Sequence, residues 1–243
     1  MARLIAHCRI DAGGLFSAGP GGTHSATWPE LGAGVPDAFG LPPLRARYFF
    51  DQPYPKFGRM DPLCKVAVAA AQLIQRAGGF DGLDRDQVAQ CGATALGCLE
   101  VDSQFEATRR AGAPSPALFV YTLPSMFQGE IAIQFKLRGR CALYCCGETS
   151  GVTALATAAK WVDQGRAPAV LAIAAEAAGP AAAAAGYGPP QTAAMAWLLA
   201  ATGKGPEMGS ATISETAQQL PPGQLRNGLT RLDSLHNSSV PLG

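Results

Sequence analysis

The sequence predicts an α/β fold, a mixed and mostly parallel five-stranded sheet covered by helices, on three observations. Strand-like and helical runs alternate along the chain, as crossover connections between parallel strands require. The runs VAQCGATAL (88–96) and CALYCC (141–146) are almost continuously apolar, as strands covered on both faces should be. The first long helix carries its own start and stop signals.

LIAHCRI (4–10) reads as the first strand, followed by a Gly- and Pro-rich stretch, 11–58, that reads as a long covering loop. Asp61 supplies an N-cap and Pro62 the first helical position; Gly78-Gly79 close a helix of about four turns. Residues 88–96 form the next strand, and EVDSQFEATRRAG (100–112) is an amphipathic helix. A less regular helix is expected from Pro124. CALYCC gives a third buried strand, the segment from Gly147 to Gly165 a turn and a helix, and PAVLAIAAEA (168–177) a fourth strand. AAMAWLLAA (193–201) and SATISETA (210–217) read as an antiparallel pair, and the polar segment 218–243 as a flexible or overlying tail.

With 243 residues and 48% hydrophobic content, the chain can bury one substantial core. The balance of 19 Lys+Arg against 18 Asp+Glu excludes the basic footprint of a nucleic-acid binder. No finger-type spacing joins the seven cysteines to the three histidines, so no structural metal is expected, and nothing in the sequence calls for a cofactor. The N-terminal segment lacks the pattern of a signal peptide, and Glu176 and Pro180 interrupt the apolar stretch 167–185. These features predict a cytoplasmic protein without a membrane span.

The segment CCGETSGVTALATAAKWVDQG (145–165) passes from a strand through a tight turn into a helix. Backbone N–H groups at such a helix start favour an anion. A thiol there would be acidified into a nucleophile, whereas a carboxylate is a far poorer acyl acceptor. Glu148 stands in that turn, either as a plain helix cap or with a site role. Cys145 and Cys146 end an apolar strand and are expected to be buried as small hydrophobes. The alternative makes one of them the nucleophile of an acyltransferase.

Residues 115–177, from SPALFVYTLPSMFQGEIAIQFKLRGRCALYCCGETSG to AIAAEA, resemble the β-ketoacyl synthases of the thiolase superfamily. That family carries V-P-x-T-x-P-N-M-x-x-G ahead of a T-A-C-x-S-G turn and a strand ending in A-G-G-A-E. FGRMDPLCKVAVAAA is similar to its R-R-M-D helix, and QCGATALGCLEVDSQF to its second strand and the loop beyond. The resemblance runs through residues 1–217 and implies the N-terminal half of a thiolase-like fold, with 218–243 outside it.

On this resemblance Glu148 occupies the position of the nucleophilic cysteine, and the family's two catalytic histidines have no counterpart. The implied protein has no catalytic residue of its own. It resembles chain-length factors, the inactive partners of catalytic β-ketoacyl synthases in polyketide or fatty acid biosynthesis. The resemblance implies a heterodimer with such a synthase and admits acyl carrier protein as a further partner. Tyr121, Met126, Phe127, Gln128, Glu148 and Thr149 are then the candidates to line a substrate tunnel or an interface. A homo-oligomeric scaffold, built by covering the same surface with a second copy, is the remaining expectation.

Overall fold

The computed structural model describes residues 1–203 and Glu207. The expected strand 210–217 and the tail 218–243 lie outside the described residues.

Arg3–Asp11 (β1) turns back into Gly14–Gly19 (β2), and β2 into Gly22–Ala26 (β3), so the chain opens with two antiparallel hairpins. Gly14 is obligatory in the first turn, because its φ of +141° suits no side chain and a Cβ there would collide with the carbonyl of Ala26. Pro55–Arg59 (α1) and Pro62–Arg76 (α2) come next. Asp61 caps α2 as its sequence position predicts, accepting from the N–H groups of Leu63 and Cys64 at 3.0 and 3.2 Å. The remaining elements are Val88–Ala93 (β4), Leu99–Arg110 (α3), Pro116–Phe119 (α4), Met126–Phe135 (α5), Cys141–Tyr144 (β5), Ser150–Asp163 (α6), Ala169–Ala178 (β6), Pro180–Ala184 (α7) and Gln191–Ala200 (β7).

The α/β class is as predicted, but among the described residues the sheet has seven strands, in the order β3-β2-β1-β7-β6-β4-β5, where five were expected. The two additional strands, β2 and β3, lie within the stretch read as loop. Their five or six residues sit between glycine turns, and β3 is too polar and exposed to show an alternating pattern. Nor is the sheet mostly parallel: only β4 with β5 and β4 with β6 run parallel. Hairpins impose antiparallel pairing on β1 to β3. Between β6 and β7 the connection holds only the short helix α7, so the chain doubles back and β7 pairs antiparallel with both β6 and β1.

Alternate residues of the central strands feed two cores. Leu171, Ile173, Ala196 and Leu198 face the layer of α2 and α5, whereas Val170, Ala172, Trp197 and Leu199 face α6. Strand β4, buried at every position, lies between β5 and β6 as its apolar run predicts. Strand β5 is not the buried strand expected. Among the described residues it forms the edge of the sheet, with Cys141 exposed and Ala142 to Tyr144 only partly covered.

Helix α5 presses directly onto β4 at Gly92. A Cβ added there would lie 2.8 Å from both Phe127 Cζ and Gln128 Cδ. Gly92→Ala is therefore expected to destabilise the protein by about 1–3 kcal/mol through overpacking, measured as a lowered denaturation midpoint.

Candidate functional site

The parallel strands β4 and β5 end level with Ala174 of β6, which runs on to Ala178, and the turn from β5 into α6 lies at that end of the sheet. Gly147, at φ +64°, starts a single 3-10 turn, Gly147–Thr149, that runs into α6. Ser150 locks this turn from beneath: its buried hydroxyl accepts from Cys146 N–H at 2.9 Å and donates to the carbonyl of Gly147 at 2.6 Å. Thr149 Oγ1 adds a bond to the carbonyl of Cys146. The turn is thus held by its own side chains, and Glu148 is free of that duty.

No side-chain cap closes the start of α6, so Glu148 is not the helix cap that one reading of the sequence gave it. It is half-buried beside the exposed Cys145 and Cys146. The exposure of both cysteines corrects the expectation that they pack as small hydrophobes: β5 stops at Tyr144, and its edge position leaves the two thiols beyond it uncovered. Partial burial pushes the Cys145 thiol above its ordinary pKa, and the neighbouring Glu176 and Cys146 push it the same way. That is the opposite of the acidification a nucleophile needs. Of the three histidines, His7 lies on β1 and His24 on β3, both on the far side of β6 and β7 from β5, and His236 is outside the described residues.

Two carboxylates that sequence reasoning did not assign to the site build its walls. Glu176, near the end of β6, accepts hydrogen bonds from Thr94 Oγ1 at 3.1 Å, from Ala95 N–H and from Leu96 N–H at 3.3 Å. It thereby fixes the loop that leaves β4. Glu100, at the start of α3, accepts from the N–H groups of Gly179, Ala181 and Ala182 at 2.8, 3.1 and 2.8 Å, fixing the turn that leaves β6. The signal for Glu176 was in the sequence: one carboxylate after a run of seven apolar strand residues has to find partners.

The other predicted residues divide by depth. Phe127 is fully buried against Gly92, and Gln128, also buried, donates to the Ala142 carbonyl at 2.9 Å, tying α5 to β5. Met126 and Tyr121 are half-exposed, and burial and the nearby Glu130 push the Tyr121 phenol up to about 12. Glu130, buried on α5, meets Lys56 of α1 at 2.5 Å. Among the described residues no hydrogen bond joins Glu148 to Tyr121, Met126, Phe127 or Gln128; β5 lies between the two groups in sequence and is bonded directly to α5. The segment from α4 through α5 also displays Phe119, Leu123 and Ile133 at 61%, 60% and 68% exposure. Large apolar side chains this exposed stand out on a protein surface.

The turn that leads into α6 thus carries a carboxylate, Glu148, next to two exposed thiols. The family model for the β-ketoacyl synthase N-terminal domain matches residues 45–195, well over half of the chain, and the chain belongs to that family. Similar solved structures include the ishigamide ketosynthase/chain length factor, at 19% identity and TM-score 0.61, matched over 82% of this chain and 62% of that one. A ketosynthase (ApeO) in complex with its chain length factor (ApeC) from Xenorhabdus doucetiae matches at 19% identity and TM-score 0.60, over 82% and 79% of the two chains. A β-ketoacyl synthase from Burkholderia phymatum matches at 18% identity and TM-score 0.58, over 82% and 58%. At these identities the likeness is one of fold, and this chain spans about three fifths of the length of the ishigamide and Burkholderia chains. A search of curated proteins gave no match. Among the described residues no helix is long and apolar enough to cross a membrane.

Burial raises the Glu176 carboxyl to about 7, against the opposing hydrogen bonds from Ala95, Leu96 and Thr94. The folded state therefore holds a proton that the unfolded chain releases near 4.5, and this contribution to stability is complete below about pH 4.5 and lost as the pH rises to about 7. Glu176→Gln should remove a fall of up to about 3 kcal/mol across that interval. Melting curves of both proteins from pH 5 to 8 test this, and equal slopes would contradict it.

Proposed function

We propose that this chain is a non-catalytic ketosynthase-like subunit of the chain-length-factor type, pairing with a catalytic β-ketoacyl synthase in polyketide or fatty acid assembly. The observation that carries this reading is Glu148, a carboxylate at the head of α6 where condensation needs a thiolate to accept the acyl group. Decarboxylative condensation also needs donors that stabilise an enolate, and His7 and His24 lie on strands remote from the turn. The surface supports the second half of the reading. A β5 edge unpaired among the described residues suits a partner that continues the sheet, and the exposed Phe119, Leu123 and Ile133 give such a partner apolar surface to cover.

In this reading the exposed Phe119, Leu123 and Ile133 and the half-exposed Tyr121 and Met126 meet the partner. Phe127 and Gln128 support that wall from inside, so their influence on a product tunnel is indirect. Glu148 and Thr149 face the space in front of α6. The complexes of a ketosynthase with its chain length factor among the similar structures support a heterodimer. A further similar structure, of a ketosynthase with a type II acyl-carrier protein, supports carrier protein as an additional partner. One observation favours an acyltransferase instead, the exposure of Cys145 and Cys146; the raised Cys145 thiol weighs against it.

The purified protein is expected to show no condensation of acyl with malonyl thioesters, and Glu148→Cys is expected not to restore it. Turnover by either would overturn the reading. Iodoacetamide should modify Cys145 no faster near neutral pH than an ordinary thiol; rapid labelling that abolishes acyl transfer would establish the acyltransferase in its place.

A further inference from the structure

The two faces of the sheet are covered unevenly. On one face α2 and α5 pack across β2, β1, β7, β6 and β4, and Trp28, Leu41 and Phe49, from the stretch between β3 and α1, join the same core. On the other face α6 packs against β4 to β7, and no described helix there lies over β1, β2 or β3. The core beneath α6 takes Ala2 and Leu4 from the start of the chain and nothing from β2 or β3. At about 4.8 Å per strand, β1 to β3 leave a shelf about 14 Å wide beside α6, room for one further helix of about 10 Å diameter.

The side chains on that shelf are not those of a bare, solvated sheet. His7 stands opposite Trp197 of β7 and Ala18 of β2, and Arg9 opposite Phe16, so all five share the α6 side. The rings of His7 and Phe16 meet at 5.6 Å. His7 is nevertheless 8% exposed, and its burial lowers its pKa, which a histidine on an open sheet face would not show. The described residues end beside this shelf. Glu207 forms a β-bridge with Arg3 and an ion pair at 2.7 Å, next to the Leu4 that closes the α6-side core, and Ala2 N–H donates to Asp163 at the end of α6 at 2.6 Å. Residues 208–243 follow, and they carry Leu225, Leu229, Leu232 and Leu235 between Pro222 and Pro241. Leucines recurring every three or four residues are the sequence pattern of one apolar helical face, and prolines are its usual punctuation.

We propose that this chain's own residues 208–243 cover the shelf, with the leucines of 225–235 set against Phe16 and Ala18 beside α6 and His7 sealed beneath them. A second copy or another protein could meet the same surface, but 208–243 is already tethered to it at Glu207, and a short tether gives a segment a high effective concentration at its site. The leucines supply the apolar face that the layer beside α6 lacks. The shelf lies at the opposite edge of the sheet from β5, so the inference is independent of the partner-subunit reading, and its failure would leave that reading untouched.

Photo-crosslinking of the full chain carrying Phe16→p-benzoylphenylalanine tests this directly. The expected product is monomer-sized, with the cross-linked peptide drawn from 208–243. A dimer-sized product, a cross-link confined to residues 1–203, or no cross-link would overturn the proposal. Modification by diethyl pyrocarbonate, read by mass spectrometry, gives a second measure with the shelf unaltered. In the native chain His7 should react about tenfold or more slowly than the exposed His24 of β3, because its cover must open first. Leu229→Asp combined with Leu232→Asp should abolish most of that difference while the melting transition is retained. Equal rates for His7 and His24 in the native chain, or an unchanged His7 rate in the folded double variant, would overturn the proposal. The cross-link and the native rates decide it even where the double variant does not fold.

Discussion

Glu100 and Glu176 exchange hydrogen bonds across the end of the sheet: each lies near one loop and binds the backbone of the other. The loop leaving β4 is held by a side chain of β6, and the turn leaving β6 by a side chain of the helix that comes after β4. Neither loop can shift without unpairing a carboxylate in a poorly solvated place, which is among the costlier changes a fold can undergo. The wall beside Cys145 and the floor under Phe39 rest on this pair of ties. The raised Glu176 carboxyl is the electrostatic cost of such a position.

Much of this architecture was legible in the sequence wherever local chemistry decided the outcome. Asp61-Pro62 specified the start of α2, and the apolar run of β4 specified a strand with neighbours on both sides. The failures share a cause, because they concern what covers a segment. CALYCC looks the same whether its far edge is paired within the chain or by another chain, so β5 read as buried and is an edge. The exposure of Cys145 and Cys146 stems from that one position. Strands β2 and β3 escaped notice for a different reason: hairpin pairing sustains a polar strand such as GTHSA that no alternation of side chains announces.

At the site, the resemblance located the turn that leads into α6 and implied that Glu148 stands where the family carries a thiol. It could not locate Phe127. Helical spacing leaves that residue able to face either way, and the glycine at position 92 of a distant strand draws it into the core. Gln128, next to it, ties α5 to both β4 and β5, through Gln90 and the Ala142 carbonyl.

The proposed pairing depends on β5 being a joining edge. Hydrogen exchange, read by mass spectrometry on the segment 137–147 in the complex with a catalytic ketosynthase, tests it most directly. Amides of β5 that point away from β4 should exchange nearly as slowly as those of the buried β4 strand. Fast exchange there in the assembled complex, at the rate of an open edge, would contradict the claim that this edge is where the partner joins.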